Sequence, residues 1–130
     1  MRQKLNEVYR EAAVEFVHLV TSALGDQVDA VVLYGSVARG EAKRYSDIDI
    51  LVVSPDPQRV REKLSEMRSD FAYERNYAFF ISLVHYSREE FYKLRQIGSP
   101  FIQDVVTEGV ILYDNGIFSR VRGKGIAASR

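Results

Sequence analysis

The sequence predicts an α+β fold: a small mixed β-sheet with helices packed on it. Two observations lead there. Short apolar runs rich in β-branched and aromatic residues recur along the chain, at Val28 to Tyr34, Ile48 to Val53, Tyr77 to Tyr86 and Val110 to Tyr113. Such runs read as strands. The segments around them carry apolar residues at three- and four-residue steps, which is the helical period.

Leu5, Val8, Tyr9, Ala12, Phe16, Leu19, Val20 and Ala23 form one such stripe, so residues 3–24 read as an amphipathic helix. Gly25 supplies its stop. His18 has no second His or acid at ligand spacing, so it reads as a helix-surface residue. Val28 to Tyr34 is nearly continuous in apolar residues, as expected of a strand buried on both faces. Ile48 to Val53 reads the same way.

Asp56-Pro57 then opens a helix, with the acid as cap and the proline in the first turn. Val60, Leu64, Met67 and Phe71 give it a single buried stripe. Arg59, Arg61, Lys63 and Arg68 lie toward its polar side, interleaved with Glu62, Glu66 and Asp70. That mixture marks a solvated face and argues against nucleic-acid binding. Ser87-Arg88-Glu89-Glu90 is a capping box that starts a short helix through Leu94. Ser99-Pro100 starts another, and Gly109 closes it. Asn115-Gly116 marks a turn. The basic tail, with Arg120, Arg122, Lys124 and Arg130, is expected to be a frayed, flexible terminus over residues 120–130.

At 130 residues the chain is expected to form one domain with a real core. Lys+Arg and Asp+Glu both number 18, so there is no global field to draw in nucleic acid or a membrane. With no Cys there is neither a disulfide framework nor a thiolate zinc site. No apolar stretch reaches the roughly 18 residues of a membrane span. Glu11, Glu15 and His18 interrupt any signal-peptide-like region at the start. The expected location is the cytoplasm.

The chemistry concentrates between residues 35 and 49. The first strand ends at Gly35-Ser36, a polar loop follows, and Asp47 and Asp49 stand at the mouth of the second strand. Alternate strand residues share a face, which would set the two carboxylates roughly 6–7 Å apart. That spacing suits a hard divalent cation. Gly35 permits a backbone that a side chain would forbid, and lets a bulky anion approach the main chain. Amides just after it can point at phosphate oxygens, and the Ser36 hydroxyl adds a donor. Mg²⁺ is usually held by one or two carboxylates plus substrate phosphates. A phosphate cradle facing paired acids therefore reads as a metal–nucleotide site. Either half alone would be better explained by a capped helix start or by solvated acids; the joined pattern favours the site.

Gly-Ser, ten intervening residues, then Asp-x-Asp resembles the signature of the DNA polymerase beta nucleotidyltransferase superfamily. Gly35-Ser36-Val37-Ala38-Arg39-Gly40 with Ser46-Asp47-Ile48-Asp49 is similar to its small bacterial and archaeal members, the minimal nucleotidyltransferases. The resemblance covers about residues 28–113. It implies a nucleotidyltransferase-like sheet, an NTP substrate (ATP first), and Mg²⁺ or Mn²⁺ held by Asp47 and Asp49, which also act as the catalytic acids. Gly35, Ser36 and Arg39 would bind the nucleotide, with a structural ion pair as the competing role for Arg39. It also implies a short helix at the start of the loop. Some such proteins are antitoxins to HEPN-domain toxins, so a HEPN-domain protein is an expected partner. The chain has no room for a separate acceptor domain, so a second subunit or another protein would supply that surface.

One departure stands out. Active members usually carry a third carboxylate on the next strand, and the matching place here is Ser82. That acid completes metal coordination and can take the proton from the attacking hydroxyl, a transfer worth roughly 10²–10⁴ in rate. Three readings stay open from the residues: a transferase, a nucleotide- or partner-binding module with an impaired site, and, weakest, a scaffold whose acids only support the fold. They separate on whether any acid reaches the Asp pair in space.

Overall fold

The computed structural model describes residues 2–118, so the basic tail and the flexibility expected of it lie outside the described residues. Among these residues are five α-helices and one four-stranded sheet. In chain order they are α1 (Arg2–Leu24), β1 (Ala30–Tyr34), α2 (Gly35–Ala38), β2 (Ile48–Ser54), α3 (Pro57–Glu74), β3 (Ile81–Ser87), α4 (Arg88–Gln96), α5 (Pro100–Glu108) and β4 (Val110–Asp114). A 3₁₀ turn, Gly25–Gln27, joins α1 to β1.

The sheet runs β3-β2-β1-β4. β1 pairs antiparallel with both β2 and β4, whereas β2 and β3 are parallel. The expected mixed sheet is therefore present. A parallel pair needs a crossover, and α3 makes it.

Two apolar layers sandwich the sheet. On one face Val31, Leu33, Ile48, Ile50 and Val52 meet Phe16 and Val20 of α1 and Leu64 and Phe71 of α3. On the other, Ala30, Val32, Leu51 and Val53 meet Phe91 of α4, Ile102 and Val105 of α5, and Ile117 and Phe118. The continuous apolar runs of β1 and β2 follow from burial on both sides.

Several expectations shift. Val8 and Leu19 are 42% and 41% exposed, while Ala13 and Val17 are buried, so the α1 stripe is rotated slightly from the predicted one. Asp56 occupies the cap position of α3 but makes no side-chain cap hydrogen bond. β3 begins at Ile81, not Tyr77. Asn76 and Tyr77 sit in the left-handed region, at φ 54° and 59°, and the Tyr77 amide donates back to the Ala72 carbonyl at 2.7 Å. The aromatic run thus begins as the turn off α3. Asp47 lies one residue ahead of β2. The capping box at Ser87 forms as expected, with Ser87 and Glu90 each accepting from the other's amide.

Candidate active site

β1 reaches Tyr34 in extended conformation, and the chain then turns through Gly35 at φ +73° into α2. Only glycine adopts that angle without a steric penalty. Space imposes a second demand. A Cβ on Gly35 would lie 2.9 Å from Asp49 Cγ and 3.2 Å from its Cβ, and would overlap the carboxylate oxygen itself. Gly35 is thus what lets the Asp49 carboxylate lie directly against the turn.

α2 is a single turn with Val37 and Ala38 buried. Amides of a first helical turn have no acceptor within their own helix. The Ser36 hydroxyl is half-buried and has no hydrogen-bond partner among the described residues. The turn that leads into these groups lies directly against the Asp49 carboxylate.

Polar groups of α1 secure α2 and the following loop. Arg10 donates from its guanidinium to the Ala38 carbonyl at 2.6 Å and from Nε to Val37 at 3.3 Å. That sets a cation on the C-terminal carbonyls of α2, where the helix dipole favours it. Asn6 donates to the Gly40 carbonyl and accepts from the Ala42 amide. The Tyr9 hydroxyl accepts from the Tyr45 amide at 2.9 Å. Sequence reasoning missed Asn6 and Arg10, because their partners lie more than 25 residues away in sequence and only the fold brings them together.

β2 carries Asp49 into the sheet. Its neighbours in register are Tyr34 on β1 and Ser82 on β3. Side chains in register share a face. Tyr34, Asp49 and Ser82 therefore form one row across three strands, on the side of α4 and α5. Asp49 is half-buried and makes no hydrogen bond or ion pair among the described residues. Its pKa is raised, first by burial and then by the nearby Asp47 charge, with Arg39 acting in the opposite sense. Asp47 is exposed and likewise has no hydrogen bond or ion pair among the described residues. The two acids are thus electrostatic neighbours although Asp47 is outside the strand.

Arg39 is exposed and engaged: Nε meets Glu41 at 2.8 Å, and the guanidinium meets Glu108 of α5 at 3.9 Å. Its ion pairing is observed, and its field also reaches Asp49. Sequence reasoning missed Glu108 and Tyr34. Burial, helped by Asp49 and Tyr86, pushes the Tyr34 phenol up to about 12.

Two unpaired carboxylates offer hard oxygen donors, which fit Mg²⁺ or Mn²⁺ with phosphate and water oxygens filling the remaining positions. Among the described residues no three His, Cys, Asp or Glu side chains gather as a potential metal cluster. In particular, the β3 residue in register with Asp49 is the uncharged Ser82.

The nucleotidyltransferase domain family matches residues 17–112. Among curated relatives, two Methanocaldococcus jannaschii proteins carrying the name protein adenylyltransferase are 30% and 32% identical. They align over 77% and 79% of this chain and 94% and 96% of their own lengths. Of solved structures, a toxin–antitoxin complex with AMP-PNP aligns at TM-score 0.58 and 23% identity, over 89% of this chain and 86% of the other. A nucleotidyltransferase structure from Sulfolobus solfataricus aligns at TM-score 0.50 and 20% identity, over 88% and 87%. At these identities the structural likeness is one of fold. The sequence matches are what assign the family: this chain belongs to the nucleotidyltransferase domain family.

Proposed function

We propose that this chain moves a nucleoside monophosphate, AMP first, from a divalent-metal-bound NTP to a hydroxyl on a partner protein. The observation that carries the reading is the Asp49 carboxylate. It is half-buried, unpaired, raised in pKa by burial and Asp47, and seated against the Gly35 turn, where a side chain would displace it. A carboxylate kept so without a protein partner costs stability, which suggests a charge that arrives with a ligand.

The residues divide the work. Asp47 and Asp49 would hold the cation, which when bound offsets negative charge on the phosphates and the departing pyrophosphate. Gly35 and Ser36, with the first amides of α2, receive the β- and γ-phosphates and so orient the leaving group. Arg39 stands within electrostatic reach of the same anions. The acceptor hydroxyl attacks the α-phosphorus from the side opposite the pyrophosphate. A new P–O bond forms as the old one breaks. The proton it sheds finds no carboxylate at Ser82, so it passes to water or to a group that the acceptor brings.

Names of the relatives support a protein as acceptor. The HEPN-domain partner implied by the family resemblance is the first acceptor to test. The decisive measurement is label transfer with Mg²⁺ and that partner. Label from α-labelled but not γ-labelled ATP should reach the partner protein, and Asp47→Asn or Asp49→Asn should abolish it.

One observation favours a second reading. Ser82 stands in register with Asp49, at the place where the family resemblance implies an acid. A binding module would then hold nucleotide and partner without turnover. Nucleotide binding with no label transfer would establish it.

A further inference from the structure

Two tyrosines on the Asp49 face have no assigned task. Tyr34 stands beside Asp49 on β1, and Tyr86 lies four residues beyond Ser82 on β3. Both rings pack on the apolar layer beneath α4 and α5, and Tyr34 meets the Phe101 ring edge-on with centroids 5.2 Å apart. Both are half-buried. Neither hydroxyl has a hydrogen-bond partner among the described residues. A Tyr hydroxyl that is partly buried usually finds one. The phenols are also electrostatic neighbours, and Tyr34 in addition senses Asp49. Two unspent donors with apolar bodies thus share one face of the sheet, Tyr34 beside the carboxylate and Tyr86 further along β3.

Resting on the transferase reading above, the geometry of that site says what they face. Phosphates at α2 and a cation at Asp47 and Asp49 place the α-phosphate near Asp49. Pyrophosphate leaves on the α2 side, and in-line attack brings the acceptor from the opposite side. What remains for the nucleoside is the margin of that sheet face, where the half-buried Tyr34 and Tyr86 border the layer under α4 and α5. We propose that Tyr34 and Tyr86 form the nucleoside-binding wall of this site, their rings covering its apolar surface and their hydroxyls bonding its ribose or base.

Tyr34→Phe, Tyr86→Phe and the double variant keep the rings and remove only the hydroxyls. Calorimetry with Mg²⁺ compares two probes, ATP and inorganic tripolyphosphate. Each single variant should lose about three- to tenfold in ATP affinity, the worth of one neutral hydrogen bond, with tripolyphosphate affinity unchanged. Thermal melts confirm the fold of each variant. If wild type binds neither probe, the transferase reading itself fails. If wild type prefers ATP and the Phe variants keep that preference, the nucleoside wall is elsewhere. If ATP affinity holds but label transfer falls, the phenols serve the acceptor side and the proposal is overturned.

Discussion

Gly35 and Asp49 share one space: the volume a side chain would need at residue 35 is filled by the carboxylate at residue 49. The two positions are fourteen residues apart in sequence, yet a side chain at residue 35 would have to push the Asp49 carboxylate aside. Gly35→Ala would add the left-handed backbone penalty, about 1–2 kcal/mol, to a direct collision with Asp49. It should therefore lose nucleotide affinity far more completely than Ser36→Ala, which removes one donor among several. Calorimetry on the two folded variants decides this. Normal binding by Gly35→Ala would mean that the phosphates rest elsewhere.

The Asp49 pKa gives a pH signature. Its folded value is raised above the ordinary 3.8, chiefly by burial. The folded state thus holds this proton more tightly than the unfolded chain. Its contribution to stability is fully present below pH 3.8 and is lost as pH rises through the raised folded value. At neutral pH the ionised carboxylate is a liability. Asp49→Asn should be at least as stable as wild type at pH 7 and should lose this segment of the pH dependence. The same variant should lose divalent-dependent nucleotide binding. Melts across the acid range, with and without Mg²⁺ and ATP, read both effects. A wild-type-like pH profile in Asp49→Asn would refute the burial argument.

Arg39 separates a structural role from a binding one. Its partners Glu41 and Glu108 lie, like Arg39 itself, at the surface, where ion pairs add little to stability. Arg39→Ala should leave the melting temperature nearly unchanged while weakening ATP binding. Glu108→Gln frees the guanidinium from one competing anion, so it should strengthen binding. Opposite signs in the two variants are the test. A shared sign would reduce Arg39 to a surface contact.

The parts of this site that are legible in sequence are those fixed by local spacing. Gly35-Ser36 and Asp47-x-Asp49 announce themselves because a strand end, a tight turn and a strand mouth all constrain residue type within a few positions. Ser82 stands out only through the family resemblance, which implies an acid at that place, and it is in register with Asp49. Composition misled where it imitates a strand. Tyr77 to Phe80 is largely aromatic, but the chain leaves α3 there through a turn with Asn76 and Tyr77 in the left-handed region and the Tyr77 amide bonded back to Ala72, so β3 starts later. Tyr34, Tyr86, Glu108, Asn6 and Arg10 left no local trace. Tyr34 and Tyr86 share a sheet face, and Asn6, Arg10 and Glu108 reach their partners from α1 and α5, through packing that is not encoded near them in the chain.

Ser82 offers the sharpest test of the missing acid. It is paired in register with Asp49 on a parallel strand, so the two side chains point to one face. Ser82→Asp would set a third carboxylate beside a pair in which burial, and after it the Asp47 charge, already raises the Asp49 pKa. Without metal the variant should be less stable than wild type, since like charges crowd a half-buried place. Mg²⁺ with nucleotide should recover that loss, because a ligand specific to the native state stabilises by mass action. The added acid also stands where a proton acceptor would face the attacking hydroxyl. Label transfer, if limited by the lost base, should rise by about 10²-fold or more. Melts with and without Mg²⁺ test the placement, and transfer tests the chemistry. A metal response no greater than wild type would show that residue 82 does not reach the cation. A larger metal response with no gain in transfer would locate the limit elsewhere, in a chain that binds nucleotide and waits on its partner.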